Sequence, residues 1–344
     1  MKVLLRADAS VQIGSGHIMR CLTLAQALRQ QGAECHFVCQ QSEGNLIKVI
    51  EQLGFTVFPL DNSLDSQRTD AIKTQAALNT DYQLLIVDHY QLGLEYCQLL
   101  RSHCQHILVI DDLANRQHDC DLLLDQNLLP NASSRYNHLV PTHCIQLLGP
   151  SYALLRDEFY QIKAKQLPNH ILVSFGGSDE HNLTALAITA IASLKFQQVT
   201  ADIVIGANNP WRTELEKQIA NQPNMQLHVQ CNYMAALMQK AQLMLGAGGA
   251  SHWERCISRL PGLIVTVAKN QQATTAYLQQ LGACVWLGQA ADISVQLIAE
   301  KLRYYLLQPK RLDEISKAAA TIVPITAGTK DVIKAINSLV AAKP

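Results

Sequence analysis

Short apolar runs alternate with longer amphipathic segments along most of this chain. In the first half, runs rich in Val, Ile and Leu precede segments in which apolar residues recur every three or four positions. Strands are predicted at 3–8, 35–39, 56–60, 84–88, 107–111 and 122–125, and helices at 15–31, 43–53 and 65–78. This order predicts parallel sheets with crossover helices, which is the α/β class.

The pattern loosens between Leu129 and Pro168, where turn formers such as Gly149 and Pro150 accumulate. A second alternating series follows, with strands predicted at 171–175, 202–205, 226–229, 243–245 and 262–267. We therefore predict two Rossmann-like domains, residues 1–150 and 169–344, joined by a connection at 151–168, with C-terminal helices in the second domain. Open parallel sheets bind ligands beyond the carboxyl ends of their strands, so the sheets are expected to face a central cleft.

Composition narrows the function classes. The chain has 344 residues, of which 48% are apolar, and this is enough for two cores. Its 28 basic and 28 acidic residues balance, which argues against binding of nucleic acid or capture by an anionic membrane. No apolar stretch reaches spanning length, so no stable membrane insertion is expected. The ten cysteines lack paired C-x-x-C spacing, and a cytoplasmic protein with reduced core thiols is expected.

The first predicted strand leads into Gly14-Ser15-Gly16-His17, where a helix is predicted to begin. This layout directs backbone N–H groups and the positive end of a helix toward an anion, with Gly14 allowing close approach. The motif differs from a dinucleotide fingerprint, because Met19 stands where the third glycine is required. The alternative is a plain turn in which His17 only caps a helix.

The second predicted domain has two further glycine loops. One contains Gly176 and Gly177, and the other runs through Gly249-Ala250-Ser251 into a predicted helix. Either loop can bring backbone close to a pyrophosphate. Glu254 lies one turn into that helix, where a carboxylate can accept hydrogen bonds from the two hydroxyls of a ribose. Its alternative role is to stabilise the helix dipole.

Four further residues are candidates for substrate contact. Tyr90 follows a predicted strand and can either enter the cleft or pack as a rim aromatic. Asn270 and Gln271 begin a predicted helix, where an amide can cap the helix or bind an acetamido group. Arg156 can contact a phosphate or uracil, or form a surface salt bridge.

The candidate base is His17, because imidazole titrates near neutrality and a helix N-terminus disfavours its protonated form. Asp8 or Asp88 can orient the ring, and the sequence leaves that choice open. The other histidines have no metal-ligand spacing, so neither a metal nor a cofactor is expected.

Several segments together resemble the UDP-sugar hydrolases of pseudaminic acid biosynthesis, which share the two-domain GT-B architecture of the MurG glycosyltransferase. The matching segments are 6–8 (RAD), 12–20 (QIGSGHIMR), 86–90 (IVDHY), 151–160 (SYALLRDEFY), 175–179 (FGGSD) and 269–274 (KNQQAT).

The resemblance implies a GT-B-like fold and hydrolysis of UDP-2,4-diacetamido-2,4,6-trideoxy-β-L-altropyranose to UDP and 2,4-diacetamido-2,4,6-trideoxy-L-altrose. It further implies that His17 is the base, that Tyr90 and Asn270 lie near the sugar, and that Glu254 holds the ribose. Because UDP leaves as a stabilised anion, one base suffices where glycosidases use a carboxylate pair, and attack opposite UDP inverts the anomeric centre.

Two other functions fit the same sequence features. A GT-B glycosyltransferase would use the same UDP-sugar donor and replace water with an acceptor. A non-catalytic UDP-sugar-binding protein would keep the nucleotide pocket and have no need of His17.

Overall fold

The computed structural model describes residues 1–61, 66–161, 165–194 and 198–341. Over these residues the chain forms two compact units. The first runs from Met1 to Leu155 and includes the segment from Ala327 onward, and the second runs from Arg156 to Thr326. Each unit has its own parallel sheet and its own buried core, so the predicted pair of Rossmann-like α/β domains is confirmed.

The first unit is built on a parallel sheet whose central strands are buried on both faces. Its described strands are β1 (Lys2–Ala7), β2 (Glu34–Gln40), β3 (Thr56–Leu60), β4 (Tyr82–Asp88), β5 (Cys104–Ile110), β6 (Leu122–Asp125) and β7 (Ile145–Leu148). Their order across the sheet is β3-β2-β1-β4-β5-β6-β7. Five of the six residues of β1 are fully buried, which is typical of a central strand covered by helices on both sides.

One helix follows each of the first four strands and leads to the next parallel strand. These helices are α1 (Gly16–Gln30), α2 (Ile47–Gln52), α3 (Gln67–Ala77) and α4 (Leu94–Leu100). α1 buries Ile18, Cys21, Ala25 and Leu28, whose spacing of three or four residues forms one apolar face. That face packs against β1 and β2 and thereby fixes the position of the helix start.

The second unit repeats the architecture with a shorter sheet. Its described strands are β8 (His170–Ser174), β9 (Thr200–Ile205), β10 (Met225–Val229), β11 (Leu243–Ala247), β12 (Gly262–Thr266) and β13 (Val285–Gln289), in the order β10-β9-β8-β11-β12-β13. Its helices are α5 (Leu183–Ser193), α6 (Arg212–Ile219), α7 (Met234–Lys240), α8 (Ser251–Ile257), α9 (Asn270–Gln280), α10 (Val295–Leu306) and α11 (Pro309–Ala320).

Both sheets have a point where the direction of strand addition reverses. In the first unit it lies between β1 and β4, and in the second between β8 and β11. Loops that leave such neighbouring strands diverge to opposite faces and open a crevice at the carboxyl edge, which is where α/β proteins bind ligands. The glycine motif before His17 follows β1, and the loop through Gly249 follows β11. Each unit therefore places a predicted loop at its ligand-binding edge.

The predicted strands all exist, with ends shifted by a few residues, and two edge strands were missed. β7 and β13 each pair on one side only and are half-exposed, so neither forms the buried apolar run that the prediction used. The predicted start of the third helix at residue 65 lies outside the described residues. The observed helix begins at Gln67, after Ser66, whose hydroxyl accepts a hydrogen bond from Thr69 N.

The end of the chain differs from the predicted domain boundary. We expected residues 169–344 to form one domain, but the last helix, α12 (Thr329–Ala341), packs in the first unit. Its Val332, Ile333 and Ile336 are buried in the core that contains α1. The Thr329 hydroxyl donates to Leu155 O at 2.8 Å and accepts from Leu155 N at 2.9 Å. The chain therefore leaves the first unit after Leu155 and returns to it at Ala327.

Candidate active site

A tight turn precedes the helix that carries His17. Gly14 N donates to Ser10 O at 2.9 Å, and Gly14 has a φ of +75°, which favours glycine at this position. Ser15 occupies the N-cap position of α1 and makes no side-chain capping bond to the described residues. The amides of the first turn of α1 are thus directed outward, and His17 is its second residue.

Asp88 is the residue that orients His17. Its Oδ1 lies 2.6 Å from His17 Nδ1, and Asp88 itself is fully buried at the carboxyl end of β4. Asp8 is engaged elsewhere, because its Oδ1 accepts from Arg6 Nη1 at 2.6 Å and from Gln40 N at 2.7 Å. The structure thus distinguishes between the two aspartates that the sequence left open.

The protonation state of Asp88 determines which nitrogen of His17 carries a proton. Burial raises the pKa of the Asp88 carboxyl, but the positive charge of Arg20 and the contact with His17 outweigh it and hold that pKa well below its ordinary value. Asp88 is therefore an acceptor-only carboxylate, and His17 Nδ1 must donate to it. Among the described residues nothing hydrogen-bonds to His17 Nε2. In the neutral imidazole the lone pair is therefore at Nε2, as a general base requires.

Tyr90 packs directly against this imidazole. The two ring centroids lie 4.4 Å apart with an interplanar angle of 81°, an edge-to-face arrangement. The Tyr90 hydroxyl lies 3.5 Å from Asp112 Oδ2, at the long limit of a hydrogen bond. The structure therefore brings His17 and Tyr90 together, as two of the predicted site residues.

The neighbouring histidine, His89, is not equivalent to His17. Its Nδ1 accepts a hydrogen bond from Gln91 N at 3.1 Å, and its Nε2 lies 3.2 Å from Asp8 Oδ2. Nε2 must then carry the proton, and neither nitrogen has a free lone pair. Both ring nitrogens of His89 are therefore engaged, whereas Nε2 of His17 has no hydrogen-bond partner among the described residues.

Two residues of this cluster were missed by the sequence reasoning. Arg20 pairs with Asp88 through Nε at 2.5 Å and Nη2 at 2.6 Å, and its Nη1 lies 3.3 Å from Asp112 Oδ2. A signal for Arg20 existed, because positions three apart on a helix share a face with His17. Asp112 follows β5, the strand next to β4, and strand-end acids in a parallel sheet meet at one edge.

The glycine loop after β8 is tightly packed, and its helix is already capped. Gly206 leaves no room for a side chain, because an added Cβ would lie 2.5 Å from Gly177 O. Asp179 accepts hydrogen bonds from Leu183 N at 3.0 Å and from Thr184 N at 2.8 Å. This carboxylate occupies the N-terminus of α5, so Gly176 and Gly177 lead to a helix end that a phosphate cannot use without displacing it.

The loop after β11 leaves its amides available. Within the described chain, the N–H groups of Gly249, Ala250 and Ser251 have no acceptor. Gly248 packs closely, since an added Cβ would lie 2.6 Å from Thr275 Oγ1. The Ser251 hydroxyl donates to Ala247 O at 3.1 Å and fixes the entry into α8. Of the two loops that the sequence indicated in this unit, this one has the free donors that an anion needs.

Glu254 and Arg156 contact each other in this unit. Arg156 Nη2 lies 3.5 Å from Glu254 Oε1 and 3.0 Å from Glu158 Oε1. Burial raises the pKa of Glu254, and the charge of Arg156 opposes that rise. Glu254 Oε2 has no hydrogen-bond partner among the residues that the structure describes. That oxygen is available to accept a ligand hydroxyl.

The N-cap position of α9 is held by the residue before Asn270. Asn270 is the first residue of this helix and is exposed, and Lys269 occupies the N-cap without a side-chain capping bond in the described residues. Gln271 Oε1 accepts from Val267 N at 2.9 Å, and Gln271 Nε2 lies 3.7 Å from the position of a Cβ built on Gly249. The fold therefore brings Gln271 beside the open glycine loop.

No group of three or more His, Cys, Asp or Glu residues in the described part of the chain is placed to hold a metal ion. None of the described helices is long and apolar enough to cross a membrane.

The chain has curated relatives of known name. It is 29% identical over 284 residues to the UDP-2,4-diacetamido-2,4,6-trideoxy-β-L-altropyranose hydrolase of Campylobacter jejuni, and the match covers 82% of this chain and 97% of that protein. It is 21% identical over 289 residues to the Helicobacter pylori pseudaminic acid cytidylyltransferase and UDP-2,4-diacetamido-2,4,6-trideoxy-β-L-altropyranose hydrolase, covering 82% of this chain and 47% of that protein. The resemblance drawn from the sequence motifs is confirmed.

Comparison of structures supports the fold. Acinetobacter baumannii MurG superposes with a TM-score of 0.64 at 16% identity, covering 98% of this chain and 99% of that chain. At this identity the likeness concerns the fold, which is of the GT-B type with two Rossmann-like domains. No protein-family model matches the chain.

Proposed function

We propose that this chain, which resembles the curated hydrolases in sequence, cleaves UDP-2,4-diacetamido-2,4,6-trideoxy-β-L-altropyranose with water in pseudaminic acid biosynthesis. The products are UDP and 2,4-diacetamido-2,4,6-trideoxy-L-altrose. The named Campylobacter jejuni relative supports the substrate. The observation that carries the reaction class is the His17–Asp88 pair, in which Nδ1 is held at 2.6 Å and Nε2 is free to accept a proton.

His17 acts as the general base in this proposal. Its Nε2 takes a proton from water while the water oxygen bonds to the anomeric carbon, and the bond from that carbon to the UDP oxygen breaks. The electron pair leaves with UDP, which is a stabilised anion and needs no acid to protonate it. Asp88 then stabilises the imidazolium that forms. Attack opposite the leaving group inverts the anomeric configuration.

The C-terminal unit binds the nucleotide in this proposal. The amides of Gly249, Ala250 and Ser251 meet the diphosphate, and Glu254 accepts hydrogen bonds from the ribose. Arg156 pairs with Glu254 at 3.5 Å, and in this proposal its guanidinium also contacts a phosphate or the uracil. Support comes from the unpaired amides and from the free oxygen of Glu254.

The remaining predicted residues contribute sugar contacts and close approach. Asn270 and Gln271 read the acetamido groups, and Tyr90 positions water or sugar beside His17. Gly14 keeps the turn before α1 compact, with its φ of +75°. Gly176 and Gly177 shape the loop next to the nucleotide, but α5 supplies no phosphate site because Asp179 already occupies its end.

We also propose that the protein works in the cytoplasm, with a small-molecule substrate and without a nucleic-acid partner. The support is chemical, because every cysteine carries a free thiol and the formal charge is balanced. Fractionation of the source cells followed by immunodetection checks this location.

Incubation of the purified protein with the UDP-sugar in the absence of any acceptor tests the proposed function. UDP and reducing sugar are expected in equal amounts. A transferase would release UDP at a useful rate only after an acceptor is added, and a binding protein would retain the UDP-sugar without turnover. Either of these results contradicts the hydrolase.

A further inference from the structure

Arg20 is the most heavily engaged side chain beside the proposed base. It lies one helical turn after His17 on α1, and only 11% of its side chain is exposed. Its Nε and Nη2 bond to the two oxygens of Asp88 at 2.5 and 2.6 Å, which is a bidentate pairing. Its Nη2 also lies 3.2 Å from His17 Nδ1. The guanidinium and the imidazole thus share one carboxylate.

We propose that Arg20 is a positioning residue for His17: it fixes the Asp88 carboxylate in the plane that receives Nδ1–H and supplies its counter-charge, so that His17 stays unprotonated at Nε2. This inference rests on the proposed function, in which His17 is the base. Arg20 acts through Asp88, and no contact with substrate is required of it.

The other groups around Asp88 are neutral or acidic, so Arg20 is the permanent positive charge beside it. From α1, the Cys21 thiol lies 3.6 Å from Asp88 Oδ2, and burial raises the pKa of Cys21, so it remains a neutral donor. After β4 stands Tyr90, and after β5 stands Asp112, which adds a second negative charge 3.3 Å from Arg20. Two carboxylates therefore face one guanidinium and one imidazole.

Removal of Arg20 takes away the positive charge that is paired with the buried Asp88 carboxylate. Without the guanidinium, a protonated imidazole of His17 becomes the nearest counter-charge for the Asp88 carboxylate, because a buried charge without a partner is costly. His17 would then hold its second proton to higher pH, and fewer molecules would carry the free base at neutral pH. A residue that only stabilised the fold would not produce this change.

The first test compares pH–rate profiles of wild type, Arg20→Met and Arg20→Lys. For Arg20→Met we expect kcat at pH 7 to fall at least 10-fold, KM to stay within about twofold, and the acid limb to move up by about one pH unit. Arg20→Lys keeps the positive charge but cannot form the bidentate pairing with Asp88. Its acid limb should therefore return toward that of wild type while kcat stays reduced.

Arg101→Met is the matched control. Arg101 lies in the same unit and pairs in a similar fork with Asp119, at 3.0 and 3.1 Å, and with Asp121 at 2.6 Å. It should lose comparable stability and keep the wild-type profile. If the acid limb of Arg20→Met does not move, or moves equally in Arg101→Met, the positioning role is wrong.

A second readout separates this inference from the proposed function. Nitrogen-15 NMR of the imidazoles needs no substrate and reports the protonation of each ring nitrogen. We expect the doubly protonated form of the His17 imidazole to persist to higher pH in Arg20→Met than in wild type. An unchanged His17 spectrum in Arg20→Met overturns the inference whatever the turnover, whereas absence of UDP release by wild type overturns the hydrolase alone.

Discussion

His17 is distinguished from its neighbour His89 by what holds its Nδ1 atom. Asp88 receives Nδ1 at 2.6 Å, and its low pKa keeps it an acceptor, so the lone pair is at Nε2. His89 has both nitrogens engaged and lacks that lone pair. At the scale of single residues, the chemistry thus depends on tautomer control rather than on the presence of a histidine.

Replacement of the base is the most direct test at this scale. In His17→Asn, the Asn amide can still donate to Asp88, but nothing replaces Nε2. We expect kcat for UDP release to fall by about 10²- to 10⁴-fold, with UDP affinity in calorimetry unchanged. Turnover close to that of wild type would remove His17 from the mechanism.

Asp88→Asn tests tautomer control separately from the base. An Asn side chain can offer its N–H to His17 Nδ1, which would then place the proton on Nε2 and block it. We expect kcat to fall by about 10²-fold or more with KM little changed. Asp121→Asn, which also removes a carboxylate paired with an arginine, is the control and should leave kcat unaltered.

The sequence could identify His17 and not its partners. Asp8 and Asp88 both stand at the ends of neighbouring strands, so spacing alone does not distinguish them. The difference arises from Arg6 and Gln40, which occupy Asp8 in the folded chain. Gln40 is 32 positions from Asp8, so no local pattern contains that contact, and the contact with Arg6, only 2 positions away, becomes visible only in the folded chain.

At the scale of elements, the two glycine loops of the C-terminal unit differ in whether their helix ends are free. The N-terminus of α5 is capped by the Asp179 carboxylate, and the N-terminus of α8 has unpaired amides among the described residues. The sequence predicted a phosphate site at either loop, because a glycine run does not show whether a nearby carboxylate caps the helix that follows. Only the loop before α8 is left for a phosphate.

Filling the end of α8 in the same way should block the nucleotide. A carboxylate in Ser251→Asp repels the diphosphate, yet it stabilises a helix start by up to about 1 kcal/mol. We therefore expect UDP affinity to fall at least 10-fold in calorimetry. Ser251→Asn is the neutral control. Unchanged UDP affinity in the aspartate variant would move the phosphate site elsewhere.

The last helix shows why a domain boundary was harder to predict than the elements. Its periodic apolar face is visible in the sequence, but the core that receives that face is not. Ile336 is fully buried in the first unit, so Ile336→Ala should lower the free energy of unfolding of that unit by about 2–4 kcal/mol. Chemical denaturation measures this loss. Ser338→Ala, at an exposed position of α12, should change it little, and equal effects would contradict the packing.

At the scale of the whole molecule, buried carboxylates give opposite dependences of stability on pH. Burial raises the pKa of Asp125 to about 6, although Arg135 opposes the rise. For Asp8 the pKa is lowered, because Arg6 outweighs the effect of burial. Stability from Asp8 is thus present above its ordinary pKa and lost in acid, whereas Asp125 favours the fold as pH falls through 6.

Asp125→Asn isolates one of these contributions. The folded state takes up a proton at Asp125 near pH 6 and the unfolded state only near pH 4, so acid favours the wild-type fold in that interval. The free energy of unfolding of wild type, relative to the variant, should rise by about 2 kcal/mol between pH 7.5 and 4. Denaturant titrations at both pH values measure it. A difference that is constant with pH would contradict the raised pKa.

Both units of the molecule have the same architecture, a parallel sheet with one reversal of strand order. The side chains at the reversal differ between the two units. The first unit holds the His17–Asp88 pair beside β1 and β4, and the second holds Glu254 and amides without an acceptor among the described residues beside β11. The periodicity of the sequence predicts both sheets, whereas the chemical difference between the two units depends on a few side chains.

Hydrolysis in ¹⁸O-labelled water shows whether water attacks the anomeric carbon or a phosphorus atom. If His17 delivers water to the anomeric carbon, the label appears on C1 of the released sugar and UDP remains unlabelled. Label in the terminal phosphate of UDP, with none on the sugar, would show that water attacks phosphorus and would contradict the account.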